Sequence, residues 1–188
     1  MDIDINRIKF DTDIEILGRF KDDLFKYEGY DHVRYTSRAL IENSKGEFGF
    51  LHIVGEDFFG IRNHLETCGG GIEENETIFD TIEREVKEEM GYGIKDIQLL
   101  GAVIDTYNLI KRITFSTFFH CVIDEDIKYE LHRTIEEKAL IKEIVWLKPL
   151  EALSFMQNNN KSNVDSLVHR RDAFILKHYL ENYTDLLK

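Results

Sequence analysis

The sequence is poor in proline, in cysteine and in positive charge. A single proline, Pro149, leaves most of the chain without a forced break, so long strands and helices are open to it. Two cysteines, Cys68 and Cys121, are too few for a disulfide framework; this excludes the small stapled secreted class and gives the expectation of a reducing, cytoplasmic compartment. No apolar run reaches the length of a membrane span, and no membrane partner is expected. The opening "MDIDINRIKF" lacks the apolar stretch of a secretion signal, so none is expected. Lys and Arg number 24 against 36 Asp and Glu, a formal net charge of -12. A field of that sign repels polyanions, so nucleic acid is not expected as a partner. A small phosphorylated ligand stays compatible, because a bound divalent cation inverts the local charge.

What is present is enough for one core: 188 residues, 43% of them hydrophobic. "HVRYTSRALI" and "FGFLHIV" flank a turn with Asn43, Ser44 and Gly46 and read as a hairpin. "IQLLGAVIDTY" and "RITFSTFFHCVI" read as a second pair, the latter apolar on both faces and so covered on both. "IKEIVWL" is a further strand, and Pro149 opens a short helix, "PLEALSFM". Helical period marks Thr77 to Met90 and about Val164 to Leu187. In the first thirty residues "IEILGRF" reads as a strand and "RFKDDLFKYEGY" as a short helix. The expected class is α/β, a central mixed sheet with helices on both faces. The expected organisation is one domain: an N-terminal extension over 1–32, a core over 33–156 and a C-terminal helix over 164–188. The extension is either a dimer arm, which would make a homodimer, or a surface segment.

The helix after Thr77 carries its charge in the wrong place. Thr77 suits an N-cap with Asp80 three residues on, and Gly91 suits the left-handed position past the end. At about 100° per residue, Ile78, Phe79, Ile82, Val86 and Met90 form the packing stripe, and Glu89 falls inside it. Glu85, Glu88 and Glu89 repel one another at i, i+3 and i+4 spacing. They also oppose the helix dipole near its negative end, and Glu89 meets a desolvation penalty. A hard cation among them would reverse all three costs. Periodicity alone leaves that reading beside a solvated acidic face.

The wider spacing decides more. Gly70, five residues, Glu76, seven residues and then "REVKEEMGY" resemble the Nudix box. The matching residues are Gly70, Glu76, Arg84, Glu85, Val86, Glu88, Glu89 and Gly91, with Tyr92 in place of a small aliphatic and Cys68 where many relatives have proline. The resemblance implies an α/β/α sandwich that hydrolyses a small nucleoside diphosphate linked to another group, using Mg2+ or Mn2+. It implies Glu85, Glu88 and Glu89 as metal ligands, with the carbonyl of Gly69 as a backbone ligand. Glu85 is implied as the activator of water, oriented by Arg84, which Glu76 braces. Many relatives add an acid from a later loop; of Glu136, Glu137 and Glu143, Glu137 is chosen here. The alternative activity class is a nucleotide- or ADP-ribose-sensing module that does not turn its ligand over.

The remaining candidates are weaker. Arg62 and His64 before the box, and Tyr107, Lys111 and Arg112 in the second hairpin, are placed at the pocket rim as substrate contacts. His169, Arg170 and Arg171 read as a solvated basic face of the last helix. Cys68 reads as a small buried side chain.

Overall fold

The computed structural model describes residues 13–158 and 163–186. Eight strands share one sheet. They are β1 (Ile16–Phe20), β2 (His32–Glu42), β3 (Phe48–Asp57), β4 (Gly60–Glu66), β5 (Cys68–Gly71), β6 (Tyr92–Tyr107), β7 (Arg112–Lys128) and β8 (Ile141–Leu147). The main path runs β1-β6-β7-β2-β3-β4, with β5 on β2 and β8 on β3. Two junctions are parallel, β1 with β6 and β2 with β7, and the others are antiparallel. The sheet is therefore mixed, as expected.

Helices cover both faces. Against one lie α1 (Ile78–Glu85), a π turn (Val86–Met90) and α2 (Ile135–Leu140); against the other lie α3 (Pro149–Gln157) and α4 (Val164–Tyr183). Ile82, Val86 and Met90 pack with Ala39, Ile41, Phe119 and Cys121. Leu40, Val103 and Phe118 face Leu153, Ile175 and Leu176. Neighbouring residues such as Phe118 and Phe119 thus enter different cores, because strand side chains alternate. Ile82 is fully buried, so Ile82→Ala is expected to lower unfolding stability by about 2–5 kcal/mol in a urea titration, from lost transfer energy and a residual cavity.

The hairpin of β2 and β3 forms at its turn, with Ile41 opposite Gly49 and Glu42 opposite Phe48. Beyond those rungs the strands part, and β5 takes the place beside Thr36–Ala39 of β2. That splay brings the glycine strand into the sheet.

Four sequence expectations change. "RFKDDLFKYEGY" forms no helix. Asp22 instead accepts from the backbone of Leu24 and Phe25, and its other oxygen accepts from Asn108 N at 2.7 Å. An aspartate that bonds nearby N–H groups competes with helix formation. The 1–12 part of the extension lies outside the described residues. The expected continuous α-helix to Met90 ends at Glu85 and continues as the π turn. Strand β4 was not expected, because two of its three buried side chains, Arg62 and His64, are polar beside Leu65 while Ile61 is 75% exposed. Ion pairing inverts the usual pattern there. The basic face of α4 is not solvated as a whole: His169 and Arg171 are buried, and Arg171 Nε pairs with Asp172 at 2.7 Å.

Candidate active site

The site begins with bare backbone. Gly69 has φ 138°, and a Cβ there would lie 2.2 Å from Ser37 O. A Cβ on Gly70 would lie 2.3 Å from Glu85 Oε1. Only glycine lets β5 join β2 at this point while α1 lays Glu85 against it. The chain then enters α1 through a capping box: Thr77 Oγ1 accepts from Asp80 N, and Asp80 accepts from Thr77 N at 2.8 Å.

Arg84 fastens the helix to this entry. Its Nε and Nη2 meet the two oxygens of Glu76 at 2.7 and 3.0 Å. Nη2 also donates to Gly71 O at 3.0 Å, and Nη1 donates to Glu85 Oε1 at 2.8 Å. The hydrogen bonds from Arg84 hold the Glu76 carboxyl down at about 2. A forked guanidinium satisfies such a set where an ammonium would not.

Glu85 and Glu89 are buried, at 6% and 5% exposure. Each offers an oxygen within 4.8 Å of one from half-buried Glu137 of α2. Burial pushes the Glu85 carboxyl up despite Arg84. Burial, then the charge of Glu85, lifts Glu89 to about 8, although Gly69 N and Cys68 Sγ donate to it at 3.0 and 3.2 Å. The π turn closes with Gly91 N donating to both Val86 O and Lys87 O, the residue sitting at φ 75°. Such turns often mark functional sites. The Glu89 carbonyl receives Arg133 Nε and Nη2 at 3.1 and 2.6 Å. Arg133 therefore ties the segment before α2 to the end of the glutamate helix, which carries Glu137 to its place. Nothing local in the sequence marked Arg133; its partner lies 44 residues away.

Glu88 stands apart from this trio. It is the most exposed of the three box glutamates, and its carboxylate lies 3.3 Å from Arg84 Nη1. Glu136 shares the wall of a cavity of about 250 Å³ with Glu137, Glu89, Arg34, Arg38 and Arg62. Glu143 lies elsewhere, 3.2 Å from His52 Nδ1 on β3. Hard carboxylate oxygens converging in a partly closed cavity fit Mg2+ or Mn2+ better than softer ions.

Of the other sequence candidates, Arg62 and His64 fall into a buried ionic cluster beside that cavity. Arg62 meets Asp165 and Asp57 at 2.7 and 2.6 Å. His64 lies 3.0 Å from Asp165 and 3.3 Å from Glu66. Tyr107 is buried, with the Arg112 guanidinium 5.2 Å from its ring centre. Lys111 sits in the β6–β7 turn, 3.9 Å from Glu28. His64, Arg62 and the backbone N–H of Asn63 hold Asp165 of α4 against β4, and these bonds keep the Asp165 carboxyl well below the usual range despite its burial. Asp165→Asn is expected to cost about 3–5 kcal/mol at pH 6, because a buried charge set loses its counter-ion. The depressed group stabilises above the unfolded carboxylate pKa of about 4 and loses that effect as pH falls through its folded value. The gap between wild type and variant should therefore close in denaturant titrations taken to low pH.

A family model, the NUDIX domain, matches residues 33–168. An RNA pyrophosphohydrolase of Halorhodospira halophila is 27% identical over 110 residues, 57% of this chain and 58% of that protein. A Caenorhabditis elegans relative is 32% identical over 72 residues, 38% of this chain. The chain spans 20% and 58% of the length of these two relatives. A NUDIX hydrolase from Nitrosomonas europaea has a similar structure, with TM-score 0.57 and 19% identity over 82% of this chain and 95% of that one. A MutT protein from Methanosarcina mazei Go1 gives TM-score 0.55 and 20% identity over 81% and 96%. These two likenesses show the fold. The family match extends over well more than half of the chain and includes the glycine strand, the braced helix and its glutamates, so the chain belongs to the Nudix hydrolase family.

Proposed function

We propose that this protein hydrolyses the diphosphate bond of a small nucleoside diphosphate linked to another group, with Mg2+ or Mn2+ held by Glu85, Glu89 and Glu137. The observation that carries this reading is the meeting of three carboxylates, two of them buried, within 4.8 Å. Without a cation such a group is costly, and with one it is a ligand set. Gly69, through its carbonyl, and Glu88 complete the proposed ligands; to join them, Glu88 has to leave Arg84.

An ion held by these residues would supply neutralisation of the diphosphate oxygens and a water of lowered pKa. The protein supplies position and proton transfer. Arg84 occupies Glu85 Oε1, which leaves Oε2 to take the proton of the attacking water. Glu137 spends Oε2 on Thr134 N at 2.7 Å, which leaves Oε1 for the ion. Arg84 positions Glu85, and Glu76 positions Arg84. The bare backbone of Gly69 and Gly70 admits a phosphate close to the strand.

The net charge of -12 favours a small substrate over RNA. Both cysteines are free and buried, in keeping with the proposed cytoplasmic setting. Among the described residues no helix is long and apolar enough to cross a membrane. The test is a panel of nucleotide sugars, dinucleotides, nucleoside triphosphates and 5′-triphosphate RNA with Mg2+ or Mn2+, products identified by mass. A nucleoside monophosphate from a small substrate is the expected product. Tight binding with no product would replace the hydrolase by a sensor, and turnover of RNA alone would replace the substrate class.

A further inference from the structure

Arg34, Arg38 and Arg112 stand on the α4-facing side of the sheet. Arg34 is opposite Thr114 and Thr114 opposite Asp105, while Arg112 is opposite Tyr107. Alternation along the strands puts these side chains on the face of Leu40, Phe118 and Val103. Their charges are not balanced. Glu66 takes Arg38 at 2.7 Å and Arg171 at 3.4 Å. Arg171 also takes Asp172, and lies 4.0 Å from Asp105. Among the described residues neither Arg34 nor Arg112 makes a direct ion pair; Glu66 and Glu85 act on Arg34, and Asp105 on Arg112, only from beyond contact. Burial, and after it the charge of Arg34, holds the Arg112 guanidinium below its usual range.

Two further observations mark the place as built for a ligand. Arg112 Nε and Thr114 Oγ1, both able to donate to an anion, are buried without a hydrogen-bond partner, although such groups normally find one. The glycine strand also connects this cluster to the glutamates. Where a Cβ on Gly70 would strike Glu85, a Cβ on Gly71 would come 3.3 Å from Arg34 Nη2. Arg34 is open to solvent, as ligand entry requires, and the Tyr107 ring lies against Arg112.

We propose that Arg34 and Arg112, with Arg38 beside them, form an anion subsite for a phosphate group of the substrate other than the two joined by the cleaved bond. Two forked guanidiniums match the charge and oxygen geometry of a phosphate. The subsite extends the hydrolase reading and rests on it only for the word substrate. The extra phosphate is either the third of a polyphosphate chain or a separate ester on the nucleoside or its attached group.

Two measurements decide this. In EDTA, where no divalent ion can carry the anion, calorimetry is expected to show inorganic phosphate binding that weakens at least about tenfold in the Arg34→Gln/Arg112→Gln double variant. Arg34→Lys, which keeps the charge, should recover part of it. With Mg2+, the ratio of kcat/KM for NADPH over NADH, or for ATP over ADP, should exceed one and fall about tenfold or more in the double variant. A fall in the first ratio identifies a separate ester, and in the second a third chain phosphate. Phosphate binding unaltered by the double substitution, or absent from wild type, overturns the subsite even if hydrolysis proceeds. If hydrolysis fails for every substrate, the titration in EDTA still stands as its test. The thermal midpoint of the double variant should hold or rise, since mutual repulsion is removed; a collapse would assign the arginines a structural role instead.

Discussion

Glu85→Gln is expected to lower kcat for a nucleotide-sugar substrate by about a thousandfold or more, with the urea midpoint unchanged or raised. The magnitude combines loss of a proton acceptor, worth about 10²–10⁴, with loss of a charged metal ligand. The stability side follows from the surroundings. Glu85 is buried beside Glu89, and burial already pushes its carboxyl up. Glutamine removes the repulsion and can keep a bond from Arg84 Nη1 through its amide oxygen. A drop in rate with no drop in stability cannot come from lost packing. Titration with Mn2+, followed by its paramagnetic signal, gives a readout independent of turnover: affinity should fall in the variant. Full activity in a folded Glu85→Gln protein would end the proposed role of this residue.

Gly70→Ala should cost about a hundredfold in kcat while leaving the fold intact. Its φ lies outside the left-handed region, so alanine meets no backbone strain. What it meets is Glu85 Oε1 at 2.3 Å. The carboxylate has to move by about an ångström, and displacements of that order from a reactive geometry cost about 10² in rate. Circular dichroism and the urea midpoint test the fold, and Mn2+ affinity tests the displaced ligand. Gly71→Ala is the contrasting case, since its Cβ would approach Arg34 rather than Glu85. Equal rates for Gly70→Ala and wild type would show that Glu85 can work from another position.

Much of the fold was legible because its signals are local. The two-faced apolar run of β7, the turn at Asn43–Gly46 and the capping box at Thr77 each depend on residues near one another. The brace from Glu76 to Arg84 was legible for a different reason: both belong to one spaced pattern across a single loop and helix. β4 was not legible, because two of its buried side chains, Arg62 and His64, are polar and find their partner about a hundred residues on, in Asp165 of α4. The same distance hid the burial of His169 and Arg171, which looked like a solvated face.

The sequence by itself determined where the helix starts, its caps and the placing of Glu85 and Glu89 on nearly one side, since helical geometry fixes neighbours three and four residues apart; that its last turn is a π turn it did not show. It also determined the family. Tertiary structure alone decided that Glu137, rather than Glu88, stands with those two, because Arg133 docks the later segment on the helix end while Arg84 engages Glu88. It decided as well which arginines stay unmatched, for charge pairing across β2, β4, β7 and α4 depends on register and packing that no stretch of sequence contains.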